Sequence, residues 1–274
     1  MGYRMRLTFI GGGNMASALI GGILARGGAV ADIQVADVMP QACERLHAEF
    51  GVAVHESPVA AIAGSECVVL AVKPQQLRAV AIGLAAHVGT RLVLSIAAGI
   101  RTDDLSRWLG GHARIVRAMP NTPALVRAGI TAVYALPAVT PAEREAMQQT
   151  LSAAGKVLWV AREQLLDAVT AVSGSGPAYA FYLIEAMQDA AMQLGFDADT
   201  ARLLSVETVL GAARLAEASD ASAAVLRERV TSKGGTTERA LSVLEARGVK
   251  QSLVDAMLAA EARSRELGDA FGST

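Results

Sequence analysis

The run Gly11-Gly12-Gly13-Asn14-Met15-Ala16 constrains this chain more than any other segment. It directly follows the apolar run Leu7 to Ile10 and precedes a helical pattern that opens with Ala18-Leu19-Ile20. Read as Gly11-x-Gly13-x-x-Ala16, it is the fingerprint of a strand-turn-helix unit that holds a dinucleotide. The first glycine makes the tight turn, the second lets a pyrophosphate approach the backbone, and the small third residue lets helix and strand pack closely. A pyrophosphate there would lie on a helix N-terminus, where unpaired amides and the helix dipole favour an anion. Asp37 ends a second apolar run, Ile33 to Ala36. It lies roughly 20 residues past the turn, where an acid accepts from a ribose 2′-hydroxyl and repels a 2′-phosphate. Taken alone, Asp37 favours NAD over NADP. Simple capping of the turn before Pro40 is the alternative, and Arg45 or Arg26 would offset a phosphate.

Further short apolar runs follow: Cys67 to Val72, Leu92 to Ile96, Ile115 to Ala118 and Val157 to Val160, with another strand expected over Ile130 to Tyr134. Near-continuous Val, Ile, Leu and Ala suits strands buried on both faces, and the stretches between them are long enough for crossover helices. Pro141-Ala142-Glu143 opens one helix, with proline in its first turn. After about Arg162 the strand signal stops. Glycine-punctuated helices are expected over Gln164 to Val172, Pro177 to Leu194, Ala198 to Glu217, Ser222 to Val230, Thr236 to Ala246 and Gln251 to Leu267. The fold class is therefore α/β, a Rossmann-like doubly wound parallel sheet over residues 1–162, followed by an all-α domain over 163–274.

Composition narrows the function. With 25 basic against 26 acidic groups, the net charge of -1 leaves no basic stripe for nucleic acid. The long uncharged run Ala168 to Ile184 is broken by Ser173-Gly174-Ser175-Gly176-Pro177. It falls short of the roughly 20 apolar residues a membrane span needs. Cys43 and Cys67 cannot build a disulfide framework and no secretory leader is visible, so a cytoplasmic chain is expected. Tyr179-Ala180-Phe181-Tyr182-Leu183-Ile184 makes the longest helices apolar on most faces. That is more than a helical domain of this size buries alone, and it points to a homo-oligomer formed through this half.

Three motifs stand at strand C-terminal ends, the edge where open parallel sheets bind ligands. They are Ala71-Val72-Lys73-Pro74-Gln75, Ser95-Ile96-Ala97-Ala98-Gly99 and Arg117-Ala118-Met119-Pro120-Asn121-Thr122-Pro123. The helical half adds Ala171-Val172-Ser173-Gly174-Ser175-Gly176-Pro177-Ala178-Tyr179 and Val230-Thr231-Ser232-Lys233-Gly234-Gly235-Thr236-Thr237. In this order, from Leu7 to about Leu267, these segments resemble the pyrroline-5-carboxylate reductases. The resemblance implies a Rossmann-like domain plus a helical dimerisation domain, as a dimer or a ring of dimers. It also implies reduction of a cyclic imine to L-proline by hydride transfer from NAD(P)H. Such reductases commonly prefer NADPH, so the resemblance and Asp37 pull in different directions. They usually carry proline where this chain has Lys233, whose charge could attract a carboxylate directly.

The expected cofactor residues are Gly11, Gly12, Gly13, Asn14, Met15, Asp37, Ala71, Val72, Lys73, Pro74, Ala97 and Asn121. For the small-molecule substrate they are Ser232, Lys233, Gly234, Gly235, Thr236 and Thr237. Their amides and hydroxyls can converge on a carboxylate at the start of a helix. Thr237 is the candidate catalytic hydroxyl near the ring nitrogen, with capping of that helix by Thr236 or Thr237 as the plainer role. The histidines fit no metal site. His55 and His112 are expected in surface loops and His47 and His87 on helices. An imine can enter already protonated and needs no strong side-chain acid, so positioning alone supplies up to about 7–11 kcal/mol. A 3-hydroxyacid dehydrogenase would need a lysine on the central helix, and Pro177 to Leu194 has none. A non-catalytic dinucleotide sensor would have no use for a second anion pocket.

Overall fold

The computed structural model describes residues 5–273, and the structural statements below concern those residues. The first half runs β1 (Leu7–Ile10), α1 (Asn14–Ala25), β2 (Ile33–Ala36), α2 (Pro40–Phe50), β3 (Ala53–His55), α3 (Pro58–Ala61) and β4 (Cys67–Leu70). It continues with α4 (Pro74–Leu84), β5 (Leu92–Ser95), α5 (Thr102–Trp108), β6 (Ile115–Met119), β7 (Gly129–Ala135), α6 (Pro141–Leu151) and β8 (Gly155–Trp159). The strands form one sheet in the order β3-β2-β1-β4-β5-β6-β7-β8. β1 lies between β2 and β4 with Leu7 opposite both Ile33 and Cys67, so the glycine turn leaves the sheet where the strand order reverses. All pairings are parallel except β6 with β7. The segment from Pro120 to Ala128 is shorter than the crossover of about a dozen residues that parallel pairing requires, so β7 returns antiparallel.

Both faces of the sheet are covered at its centre, which is why β1, β4 and β5 are buried along their whole length and read as near-continuous apolar runs. Phe9, Val35, Val69 and Leu94 pack with Leu19, Ile20 and Met147 on one face. Ile10, Ala36, Val68, Leu70 and Val93 pack with Leu77, Leu84 and Trp108 on the other. α6 starts where Pro141 suggests, under a capping box in which Thr140 and Glu143 satisfy each other's backbone amides. The edge strand β3 is additional to the expected set. It has three residues and buries none of them, so it lacks an apolar signature.

The second half runs α7 (Leu165–Val169), a π turn over Thr170–Gly174, α8 (Gly176–Gln193), α9 (Ala198–Glu217), α10 (Ala223–Arg229), α11 (Thr236–Ala246) and α12 (Val249–Gly272). By compactness the chain divides after Ser175, and residues from Ala260 onward group with the sheet. This boundary differs from the 162/163 boundary of the residue pattern because α7 and the end of α12 are tied into the first unit. Ser264 Oγ donates to the buried Asp167 carboxylate at 2.8 Å, and Arg101 pairs with Asp269 at 2.8 Å. The second unit, Gly176–Ala259, leaves much apolar surface open: α8, α10 and α11 bury no residue, and Phe181, Tyr182, Leu194 and Leu203 are exposed. Among the described residues no helix is long and apolar enough to cross a membrane.

Candidate active site

The glycine turn is built by close approach. Gly11 has φ +105°, and a Cβ there would lie 2.7 Å from the carbonyl carbon of Ala71, so the turn rests on the Ala71-Val72 backbone. At Gly13 a Cβ would meet nothing within 4 Å. The space in front of α1 is open, and α1 carries no side-chain cap and no acid in its first turn. These residues fit a dinucleotide pyrophosphate, with Asn14 and Met15 as the first residues of the helix that would face it.

Asp37 stands half-buried just past β2. Its Oδ2 accepts the Gly12 amide at 2.6 Å and its Oδ1 the Met39 amide at 2.8 Å. Arg45 donates from Nη2 to the Gly12 carbonyl at 2.6 Å and from Nη1 to Ser17 Oγ at 2.8 Å. Arg26 follows the C-terminus of α1, about 18 Å from its first turn by helix rise. Of the two arginines, only Arg45 reaches the glycine turn.

The other strand-end loops converge on the same sheet edge. Lys73 is the exposed N-cap residue of α4, with extended backbone, and Pro74 takes the first helical position. Ala97 is buried, its amide 3.4 Å from Ser95 Oγ. Asn121 is buried as well: Nδ2 donates to the Ser173 carbonyl at 3.1 Å, and Oδ1 accepts the Ile130 amide at 2.9 Å. Beside it, Met119 fills the space over Gly174, where a Cβ would lie 2.7 Å from its Cε. Two of the sequence motifs therefore meet inside the first unit.

Sequence reading missed Glu163. It pairs with buried Arg117 at 2.8 Å and accepts the Thr102 amide at 2.8 Å and the Thr102 hydroxyl at 2.6 Å, tying β6 to the start of α5. Partners 46 and 61 residues away leave no local signal.

In the second unit, the Ser232–Thr237 segment forms a turn in which the Gly235 amide donates to the Ser232 carbonyl at 3.0 Å and Gly234 has φ +72°. Glu238 Oε2 accepts the Gly234 amide at 2.6 Å. The amides of Gly234 and Gly235 are thus engaged within the segment, and those of Thr236 and Thr237 open the helix. α11 is capped by the backbone of Gly235 with no side-chain cap, so neither threonine hydroxyl acts as the cap. Thr237 is half-buried; Ser232, Lys233 and Thr236 are exposed. Glu238 stands at the third helical position but reaches the amide of Gly234, one residue before the N-cap glycine, so the Ser/Thr-x-x-Glu pattern of a capping box does not mark it.

Three histidine expectations need correction. His55 belongs to β3, with Nε2 2.8 Å from Gln34 Oε1. His112 is half-buried, and its Nε2 is enclosed without a hydrogen-bond partner; burial lowers its pKa. His87 lies in the turn just past α4. Both cysteines are buried and free, and burial pushes the Cys67 thiol far above its ordinary value.

Comparison with known proteins gives two family matches: pyrroline-5-carboxylate reductase dimerisation over residues 163–267, and NADP oxidoreductase, coenzyme F420-dependent, over residues 6–99. The pyrroline-5-carboxylate reductase of Pseudomonas aeruginosa is 46% identical over 268 residues, 97% of this chain and 98% of that protein. Among solved structures, a pyrroline-5-carboxylate reductase from Coxiella burnetii is 40% identical with a TM-score of 0.91, covering 97% of this chain and 99% of that one. The pyrroline carboxylate reductase of Plasmodium falciparum, solved with NADP bound, is 26% identical with a TM-score of 0.89, covering 98% and 100%.

Proposed function

This chain belongs to the pyrroline-5-carboxylate reductase family, and from that membership we infer that it reduces 1-pyrroline-5-carboxylate to L-proline, the last step of proline biosynthesis, with NADPH as hydride donor. The observation that carries the reading is the open glycine turn at the α1 N-terminus, in a chain that matches these reductases almost end to end. NADPH, when bound, supplies the hydride that adds to the C=N carbon, while the ring nitrogen takes a proton. The chain's own residues bind and orient. Gly11, Gly12, Gly13, Asn14 and Met15 hold the pyrophosphate, with Asp37 beneath the turn. Ala71, Val72, Lys73, Pro74, Ala97 and Asn121 build the strand-end loops toward the nicotinamide.

For the substrate, we assign Ser232, Lys233, Gly234, Gly235, Thr236 and Thr237. Thr236 and Thr237 present amides and hydroxyls to the carboxylate, and the Thr237 hydroxyl orients the ring nitrogen. The enzyme works in the cytoplasm. It assembles through its second unit, and the exposed Phe181, Tyr182, Leu194 and Leu203 support a dimer as the building block. The test is oxidation of NADPH, and separately of NADH, by purified protein with pyrroline-5-carboxylate, with proline measured as product. Imine-dependent oxidation faster with NADPH is expected. Dinucleotide binding without imine-dependent turnover would overturn the reading. Light scattering measures the assembly.

A further inference from the structure

An acid at the end of β2 is read as a selector for NADH. Here both oxygens of the Asp37 carboxylate are engaged by backbone amides, Gly12 at 2.6 Å and Met39 at 2.8 Å. Arg45 holds the opposite side of the same peptide unit's neighbour, donating to the Gly12 carbonyl at 2.6 Å, and it is braced on Ser17 Oγ in α1. The fit beneath the turn is tight: a Cβ at Gly12 would lie 2.8 Å from Leu46 Cδ1 and 3.4 Å from Asp37 Oδ2. Past Asp37 the chain turns outward, with Val38 75% and Met39 57% exposed. A charge-assisted bond to the amide and another to the carbonyl fix the orientation of Gly12 more firmly than either alone.

We propose that Asp37 and Arg45 form a two-sided clamp on Gly12 that positions the pyrophosphate turn, and that Asp37 does not choose between NADPH and NADH. The pyrophosphate is common to both dinucleotides, so a clamp acts on both alike. A selector acts on the 2′ position alone. This inference rests on the cofactor reading above, and it explains how a chain with an acid after β2 uses a 2′-phosphorylated cofactor. Both residues are positioning residues that act through Gly12.

The test is calorimetric titration of NADP+ and NAD+ into the full-length protein and into Asp37→Asn and Arg45→Met. The clamp predicts that each variant weakens both dinucleotides by about tenfold, with their ratio kept within about twofold. Hydrogen exchange in the peptide carrying Gly11 to Ala16 should also speed up in the cofactor-free protein. A selector predicts opposite shifts: Asp37→Asn moves preference toward NADP+, and Arg45→Met moves it toward NAD+. A ratio change beyond about fivefold in either variant, or unchanged affinity in both, overturns the proposal. Arg45→Met tests it independently if Asp37→Asn fails to fold. Wild-type protein that binds neither dinucleotide overturns the cofactor reading itself and the clamp with it.

Discussion

Asn121 Nδ2 donates to the carbonyl of Ser173 at 3.1 Å, joining the loop after β6 to the π turn that precedes α8. The other end of the same carboxamide accepts the Ile130 amide at 2.9 Å. Asn121 thus shapes the strand-end loop by tying its start to two distant backbones. π turns of this kind interrupt α-helices most often at functional positions.

Asn121→Ala removes both bonds and takes the partner from the Ser173 carbonyl and the Ile130 amide, each on a half-buried residue. We expect a loss of about 2–3 kcal/mol in unfolding free energy, measured by urea denaturation, and a lower kcat. Full stability would mean that neither bond matters.

Thr237→Val keeps the shape of the side chain and removes its hydroxyl. Turnover with the imine should fall about 10–100-fold in kcat/KM, while the NADP+ dissociation constant stays within error. Thr237→Ser should restore most of the activity. An unchanged kcat/KM for Thr237→Val would remove this residue from the chemistry.

Lys233 occupies the second position of a four-residue turn from Ser232 to Gly235 in which only Gly234 has positive φ, the signature of a type II turn. Proline is favoured at that second position because its ring presets φ. Lys233→Pro should therefore raise stability by about 0.4–1 kcal/mol, read as a shift in the urea midpoint. The accompanying change in substrate KM measures what the lysine charge contributes.

Arg127 is the one non-glycine residue with positive φ among those described, at φ 58° and ψ 22° after the turn Thr122–Val126. A left-handed conformation strains a residue that carries a Cβ, so Arg127→Gly should stabilise the protein by about 0.5–1 kcal/mol after the added freedom of the unfolded chain is counted. A destabilised variant would show that the arginine makes a contact worth more than the strain.

Glu143 governs part of the acid response. Burial pushes its carboxyl up, but the Thr140 amide and hydroxyl and the Arg114 guanidinium outweigh that and hold its pKa below the ordinary 4.5. A depressed folded pKa contributes stability above the unfolded value, and that contribution is lost as pH falls from about 4.5 through the folded value. Glu143→Gln should be less stable at neutral pH and show a flatter loss of stability on acidification below pH 4.5. Parallel acid limbs for the two proteins would remove Glu143 from the account.

The sequence by itself determined the elements whose cause is local. Leu7 to Ile10 reads as a strand because Leu7, Phe9 and Ile10 are apolar and Thr8 is β-branched. The glycine turn reads as a turn because Gly11 must take positive φ, and Pro141 with Glu143 marks the start of α6 through a capping box closed within four residues. The motifs at the ends of β4, β5 and β6 were legible for the same reason, being short segments at fixed places in a regular pattern. Tertiary structure decided who partners whom. Asp37 finds Gly12 across 25 residues, Asn121 finds Ser173 across 52, and Glu163 gathers Thr102 and Arg117 across 61 and 46. β3 forms only because β2 offers it an open edge. An acid or an amide in a sequence states what it can bond, and only the folded backbone brings one particular donor to within 3 Å, which is why Asp37 reads as a selector in one dimension and as a clamp in three.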